Sequence, residues 1–294
     1  MYATTHLRSW EQGISLMKSL PGWIFRGQEN ASWRLSSRLE REAKRVGCSA
    51  QMLPGIERGI VEDFQRRAHH YITSPPQYTE HIEWLSILQH HGGPTRLLDF
   101  TKSFYVAAFF ATESAEGDSA IWGFNHIRHH LTRMGSLGGD PDGMGAHELN
   151  DLAVKTAEMY MLDFDNPASE IISLEPRRLS ERLAAQQGCF LFPCDVRETV
   201  ERNIQFGLML PKEALDSPTE YEPKQLETVA FRNCFLVKIV IPYELHQEIR
   251  FDLLTMNITS ATLFPGLDGF ARSLWSNLRV VEGWERFRSK DTGV

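Results

Sequence analysis

Two stretches of this sequence combine residue types that can do chemistry. The first is Phe25-Arg26-Gly27-Gln28. Trp23-Ile24-Phe25 reads as a short buried strand, so Arg26 presents its guanidinium at a strand end. That fixed fork of donors suits a phosphate or carboxylate gripped through two parallel hydrogen bonds. Gly27 allows a ligand to approach the backbone closely, and Gln28 adds an amide. The competing reading is a structural arginine paired with a carboxylate such as Asp99. The second stretch runs from Gln89 to Thr101. A helix stops at Gly92-Gly93-Pro94, and Thr95-Arg96 then opens a strand that carries Asp99 and Thr101 between Leu97, Leu98 and Phe100. Core strands with so many hydrogen-bonding groups need a ligand or an internal network to satisfy them. A closed Arg–Asp–Thr network is therefore the alternative to a binding site. His90 or His91, beside this strand, is the histidine best placed for acid–base work.

Two weaker constellations follow. Arg182, Gln187, Gly188 and Phe190 bring an amide and a glycine into a strand, although Gln-Gly is also an ordinary helix exit. His126, His129 and His130 stand at helical spacing on one face, as metal ligands do. No spaced carboxylate completes the set, so a solvated histidine face and no metal are expected. The sequence has no GxGxxG after a strand, no GxxxxGK[ST], no GxSxG and no HExxH, which disfavours dinucleotide folds, P-loop enzymes, α/β-hydrolases and zincins.

The elements that must position these groups mix helix and strand without a regular beat, which predicts α+β with mixed, mostly antiparallel small sheets flanked by helices. Helical periodicity covers roughly 6–20, 38–48, 54–70, 81–91, 103–113 and 147–162. Strand character marks 23–25, 95–99, 120–124, 170–174, 189–192 and 235–241, with 120–124 apolar on both faces and hence central. Helices are expected at 177–185, from 242 to about 254, and at 270–278. The stretch 125–166, with its histidines and Gly-rich turn, reads as an excursion from the sheet, a lid or a partner-binding insert.

At 294 residues, 42% hydrophobic and 23% charged, the chain can bury a large core. A net charge of -7 argues against a wholly basic nucleic-acid binder, yet leaves room for a local Arg-rich cleft. Cys48, Cys189, Cys194 and Cys234 are scattered and read as reduced thiols. No apolar window reaches the ~18 residues of a membrane span, so a cytoplasmic protein with no membrane partner is expected.

Trp23-Ile24-Phe25-Arg26-Gly27-Gln28, with Trp33 and Arg38 downstream, resembles the first motif of the FRG-domain family. Leu88 to Thr101, followed by Val106 to Ala111, resembles its second motif; Arg182 to Phe190 resembles the third, and Ile241-Pro242 with Leu263 to Gly269 resembles its C-terminal part. The resemblance runs roughly from 22 to 278 and implies a single FRG-type domain over 1–294 with a variable insert at about 125–166. More distantly, the order of motifs is similar to that of ADP-ribosyltransferases. That likeness implies an ADP-ribosyltransferase-like core with NAD as co-substrate. Arg26, Gly27, Gln28, Thr95, Arg96 and Thr101 would hold the dinucleotide. Arg26, Asp99, Gln187 and His91 would serve the reaction, with Gln187 facing a nucleic-acid or protein acceptor. The glutamate that such enzymes carry two residues after the third-motif glutamine is replaced by Cys189, leaving Asp99 or Glu170 to stand in. The implied role is a toxin or antiviral-defence effector, held by an antitoxin or chaperone partner and modifying RNA, DNA or protein. The alternatives are a non-catalytic nucleotide- or nucleic-acid-binding module that uses Arg26, Arg96, Arg177, Arg178 and Arg182, and a hydrolase or nuclease that uses His91 and Asp99.

Overall fold

The computed structural model describes residues 2–130, 144–162, 168–208 and 218–274, and is an α+β fold. Its strands are β1 (Tyr2–His6), β2 (Ile24–Gln28), β3 (Leu98–Thr101), β4 (Ser119–Phe124), β5 (Ile171–Leu174), β6 (Gly188–Pro193), β7 (Thr219–Glu220) and β8 (Leu236–Ile241). They form one continuous sheet in the order β5-β6-β3-β2-β4-β8-β1-β7 where separate small sheets were expected. Two pairings join what would be halves. β2 meets both β3 and β4 antiparallel, and β1, where the sequence predicts no strand and gives His6 to the first helix, bridges β8 and β7 in parallel. All other ladders are antiparallel.

The helices are α1 (Trp10–Lys18), α2 (Arg38–Arg45), α3 (Leu53–Ala68), α4 (His81–His90), α5 (Phe104–Thr112), α6 (126–130), α7 (Ala146–Leu162), α8 (Glu181–Ala185), α9 (Val200–Gly207), α10 (Pro223–Asn233), α11 (His246–Thr255), α12 (Ser260–Leu263) and α13 (267–274). They cover both faces of the sheet, so neighbouring strand residues enter different cores, as a two-residue repeat requires. On β4, Ile121 packs with α1, α5 and α11, whereas Trp122 and Phe124 pack with α9. On β6, Phe190 and Phe192 join α3, α4 and α7, whereas Cys189 and Leu191 face the α9 side. All six residues of β4 are buried, in keeping with its central place.

Serine caps start the helices near the site. Ser37 accepts from Glu40 N at 3.1 Å, Ser103 from Val106 N at 3.3 Å and Ser180 from Leu183 N at 3.2 Å. Gly92, at φ +81°, turns the chain out of α4. Among the described residues no helix is long and apolar enough to cross a membrane.

The segment read as an excursion is core-packed where it is described; residues 131–143 and 163–167 lie outside the described set. Ala153, Val154, Ala157 and Met161 of α7 are buried. Glu158 of the same helix accepts from His81 N at 3.1 Å and Ile82 N at 2.9 Å, capping α4 from outside. The histidine face is not solvated either. His129 is buried against Phe124, and His130 shares a 2.8 Å hydrogen bond with Ser173. Burial, then His130 and Lys102, pushes His126 down to about 4. Among the described residues no group of three His, Cys, Asp or Glu side chains is placed to hold a metal ion.

Candidate active site on the second and third strands

Arg26 and Asp99, 73 positions apart, meet in one cavity of about 820 Å³. The sheet brings them together. β2 pairs with β3 at Phe25–Thr101, and the Arg26 Nη1 reaches across to donate to the Asp99 carbonyl oxygen at 2.7 Å. The same nitrogen lies 3.9 Å from the Asp99 carboxylate. The Arg26 side chain keeps 18% exposure, and its Nε is buried with no acceptor within hydrogen-bond reach. Burial lowers the arginine pKa, Asp99 opposes that shift, and Arg41 adds to it. A guanidinium held in this way has donor capacity left for a guest.

Asp99 is aimed by its neighbours. Gln89 at the end of α4 donates from Nε2 to the Asp99 carboxylate at 3.0 Å and to Leu97 O at 3.1 Å. The Gln89 carbonyl accepts from the Thr95 hydroxyl, so the carboxamide cannot flip without losing all three contacts. Thr95 therefore stands behind the wall and does not line the cavity. Thr101 does line it, yet its hydroxyl donates to Gln186 O at 2.6 Å and accepts from Ser103 N at 3.0 Å, tying β3 to the exit of α8.

Several expected site residues have other employment. Arg96 is buried and points away from the cavity. It meets Glu57 at 2.5 Å, donates to Cys194 O at 3.0 Å and stacks on Phe192. This is a closed ion pair of the kind buried arginines require. Gly27 borders the cavity, but its missing Cβ makes room for α5: a methyl there would sit 2.1 Å from Ala107 O and 2.5 Å from Ala111 N. Gln28 is also engaged, accepting from Trp122 Nε1 at 2.7 Å and donating to Arg34 O at 3.3 Å. Gln187 adopts φ 48°, is exposed and lies outside the cavity; the glutamine on its wall is Gln186. His91 is exposed at the end of α4, whereas His90 lines a small adjoining pocket with Gln89, Asp99 and Arg182. Burial, then His91 and Arg182, lowers the His90 pKa. Arg177 and Arg178 give their backbone N–H groups to Glu83 and do not line the cavity.

Of the two substitutes for the missing glutamate, only Asp99 is in the cavity; Glu170 instead accepts from the Tyr160 hydroxyl. Cys189 is buried, and burial pushes its thiol pKa up, so it stays neutral.

The structure brings Arg182, named from the third motif, into the cavity and adds Arg34, Arg41 and Lys44, which motif reading passed over. Arg182 lines the cavity, with its guanidinium on the Phe264 ring at 4.6 Å; Arg272 lies over the same ring at 4.8 Å. Among the described residues no carboxylate comes within ion-pair distance of Arg182. The Leu263–Gly269 segment thus supplies a platform for a site arginine. Arg34, Arg41 and Lys44 contribute further positive charge, and Glu29, Glu40 and Glu201 oppose it. Arg34 is paired with Glu201 at 3.3 Å. Burial raises the Glu40 carboxyl pKa, with Val200 and Ser37 N–H groups opposing and Glu201 reinforcing. The signal for Arg41 and Lys44 was present in the charge pattern of Arg38–Arg45, and only the fold turns that helix toward the cavity.

No curated protein matches the chain, and no solved structure matches it. A family profile for the FRG domain matches residues 21–120. That span includes Arg26, α2, Gln89, Asp99, Thr101 and α5; the expected likeness beyond residue 120, including Arg182 and Gln186, lies outside the match. Residues 21–120 of this chain are thus similar to the FRG domain.

Proposed function

We propose that the cavity binds NAD and that the protein transfers its ADP-ribose unit to an acceptor. The observation that carries this reading is the contact of Arg26 with Asp99 in a cavity that Arg182 also lines. The fit rests on three features. The cavity lies within the roughly 300–1,000 Å³ typical of small-molecule sites. The Arg26 side chain lines the cavity and keeps 18% exposure, which leaves part of its guanidinium open to a phosphate oxygen. Arg182 lines the same cavity and offers a second fork of donors, one guanidinium for each phosphate of a diphosphate.

NAD supplies a glycosidic bond with a good leaving group: the ribose C1′–N bond breaks, its electron pair neutralises the nicotinamide ring, and an acceptor heteroatom bonds C1′ and gives up its proton. The protein's part is to clamp the diphosphate through Arg26 and Arg182 and to set an anion against the positive charge that develops on the sugar. Asp99 is that anion, since Cys189 is neutral and Glu170 is elsewhere. Gln89 keeps the carboxylate pointed inward.

The test is incubation with NAD labelled in the adenylate phosphate, together with RNA, DNA and a cell extract. Nicotinamide release and label transfer, both lost in Arg26→Ala and Asp99→Asn, support the reading. An absence of nicotinamide release with every acceptor refutes it. The toxin or defence role, in the cytoplasm and under an inhibitory partner, predicts growth arrest on expression that Arg26→Ala relieves; harmless expression counts against it. A second reading, a non-catalytic nucleic-acid-binding module, is favoured by the cations on the α2 wall. It is selected if binding occurs without product.

A further inference from the structure

The cavity opens onto a surface that the clamp of Arg26, Asp99 and Arg182 does not use. Residues 34–45 hold five basic and two acidic side chains, a local charge of +3 in a chain whose net charge is -7. Arg38, Arg41 and Lys44 fall within one third of the α2 circumference, at spacings of three residues, and all are exposed. Among the described residues none of the three has a carboxylate within ion-pair distance, whereas Arg34 and Arg45 are paired with Glu201 and Glu42. Arg41 and Lys44 line the cavity itself.

Beside this face stands Trp33, 51% exposed, at the ridge between the cavity and a second hollow of about 590 Å³ lined by residues 29–33 and 114–118. The loop that carries it is braced along its backbone. Ala31 N donates to Asp118 O at 2.8 Å, Lys238 Nζ donates to Trp33 O at 3.2 Å, Gln28 to Arg34 O at 3.3 Å and Arg41 to Ser36 O at 2.7 Å. A large aromatic ring left half in water on so fixed a loop loses little on stacking with a planar guest. Aromatic platforms next to cationic tracks are how proteins hold unpaired bases and their phosphates.

We propose that α2 and Trp33 bind single-stranded nucleic acid, with phosphates along Arg38, Arg41 and Lys44 and one base stacked on Trp33. As a statement about binding this stands alone; as the identity of the acceptor it rests on the transfer reading above. A duplex keeps its bases paired and offers Trp33 nothing to stack on.

Fluorescence anisotropy of end-labelled oligothymidylate and oligouridylate against the full chain tests it. With about three phosphates neutralised, log Kd should rise with log salt at a slope near 2, because single strands release roughly 0.7 counterion per contact. Arg38→Ala/Arg41→Ala/Lys44→Ala should abolish most of that slope, and Trp33→Ala should weaken binding by about 5- to 100-fold at unchanged slope. These side chains are exposed, and retained circular dichroism shows that the variants fold. NAD is titrated in parallel. Oligonucleotide binding without NAD binding sustains this inference and removes the transfer reading. NAD binding with no oligonucleotide binding at low salt overturns the inference alone, as does equal affinity for duplex, for an acidic peptide, or for the triple variant.

Discussion

Replacing Arg26 by methionine separates a ligand-binding arginine from a structural strut. The substitution keeps the apolar stem and removes one charge-assisted hydrogen bond, that to the Asp99 carbonyl oxygen. Such a bond contributes about 1.5–3 kcal/mol. Methionine also removes a buried Nε donor that has no acceptor, which costs about 1–3 kcal/mol while it is there. The two effects oppose each other and are similar in size, so the stability change in urea unfolding should lie within about 2 kcal/mol of zero. Binding should behave differently. Truncating one side of a buried, hydrogen-bonded charge pair costs about 2–5 kcal/mol, and each ~1.4 kcal/mol is tenfold in Kd. Calorimetric titration with NAD or ADP-ribose should therefore show Kd rising by roughly 30-fold to several thousand-fold. The reasoning is refuted if Arg26→Met loses more than about 3 kcal/mol of stability while ligand affinity stays within twofold of the parent.

Four further outcomes follow from the geometry. Glu57→Gln leaves Arg96 buried beside a neutral partner and should lower stability by about 3–5 kcal/mol in urea unfolding; a loss under 1 kcal/mol would show that the pair is not closed. Gly27→Ala drives a methyl into the α5 backbone and should cost about 1–3 kcal/mol or more, with a lower melting temperature as the readout and an unchanged one as the contrary result. Gln89→Leu frees the Asp99 carboxylate from its amide and should reduce turnover more than substrate affinity, whereas equal loss in both would place Gln89 in binding. His246 is held down to about 4 from an ordinary 6.5, by burial first and then by Arg250, with the Ile241 carbonyl, Asp118 and Glu244 opposing. The unfolded chain takes up that proton below 6.5 and the folded chain does not until about 4. Stability should fall as pH drops through this window, by up to about 1.4 kcal/mol per unit, and His246→Asn should flatten the decline between neutrality and the carboxylate range; an identical slope would refute the assignment.

The parts of this fold that the sequence disclosed are those where local chemistry and tertiary role coincide. The Ala- and Phe-rich α5, the doubly apolar β4 and the Gly92-Gly93-Pro94 stop have no second interpretation. Arg26 and Asp99 were legible as candidates because charged groups within short apolar strands call for a partner, although Arg26 sits in the middle of β2 and not at its end, and their meeting depends on a β2–β3 pairing that no local pattern encodes. The errors have physical causes. Arg96 has the same residue type as Arg26, and only the arrival of Glu57 from α3, 39 positions earlier, makes it structural. Gln187 and Gln186 differ by one step of backbone, and the left-handed turn at Gln187 sends its side chain outward. β1 was hidden because its buried face is carried by Ala3 and Thr5, which do not announce a core strand. The three histidines of α6 looked solvated because the elements that cover them, β4 and β5, lie nearly fifty positions apart from end to end.

The account stands on a shared anionic guest between the arginine of β2 and the acidic strand β3. A crystal of the protein soaked with ADP-ribose tests this most directly. The diphosphate is expected within hydrogen-bond distance of Arg26 and Arg182, with the terminal ribose on the Asp99 side. Density for the ligand elsewhere on the surface, with the Arg26 guanidinium still alone on the cavity floor, would contradict it.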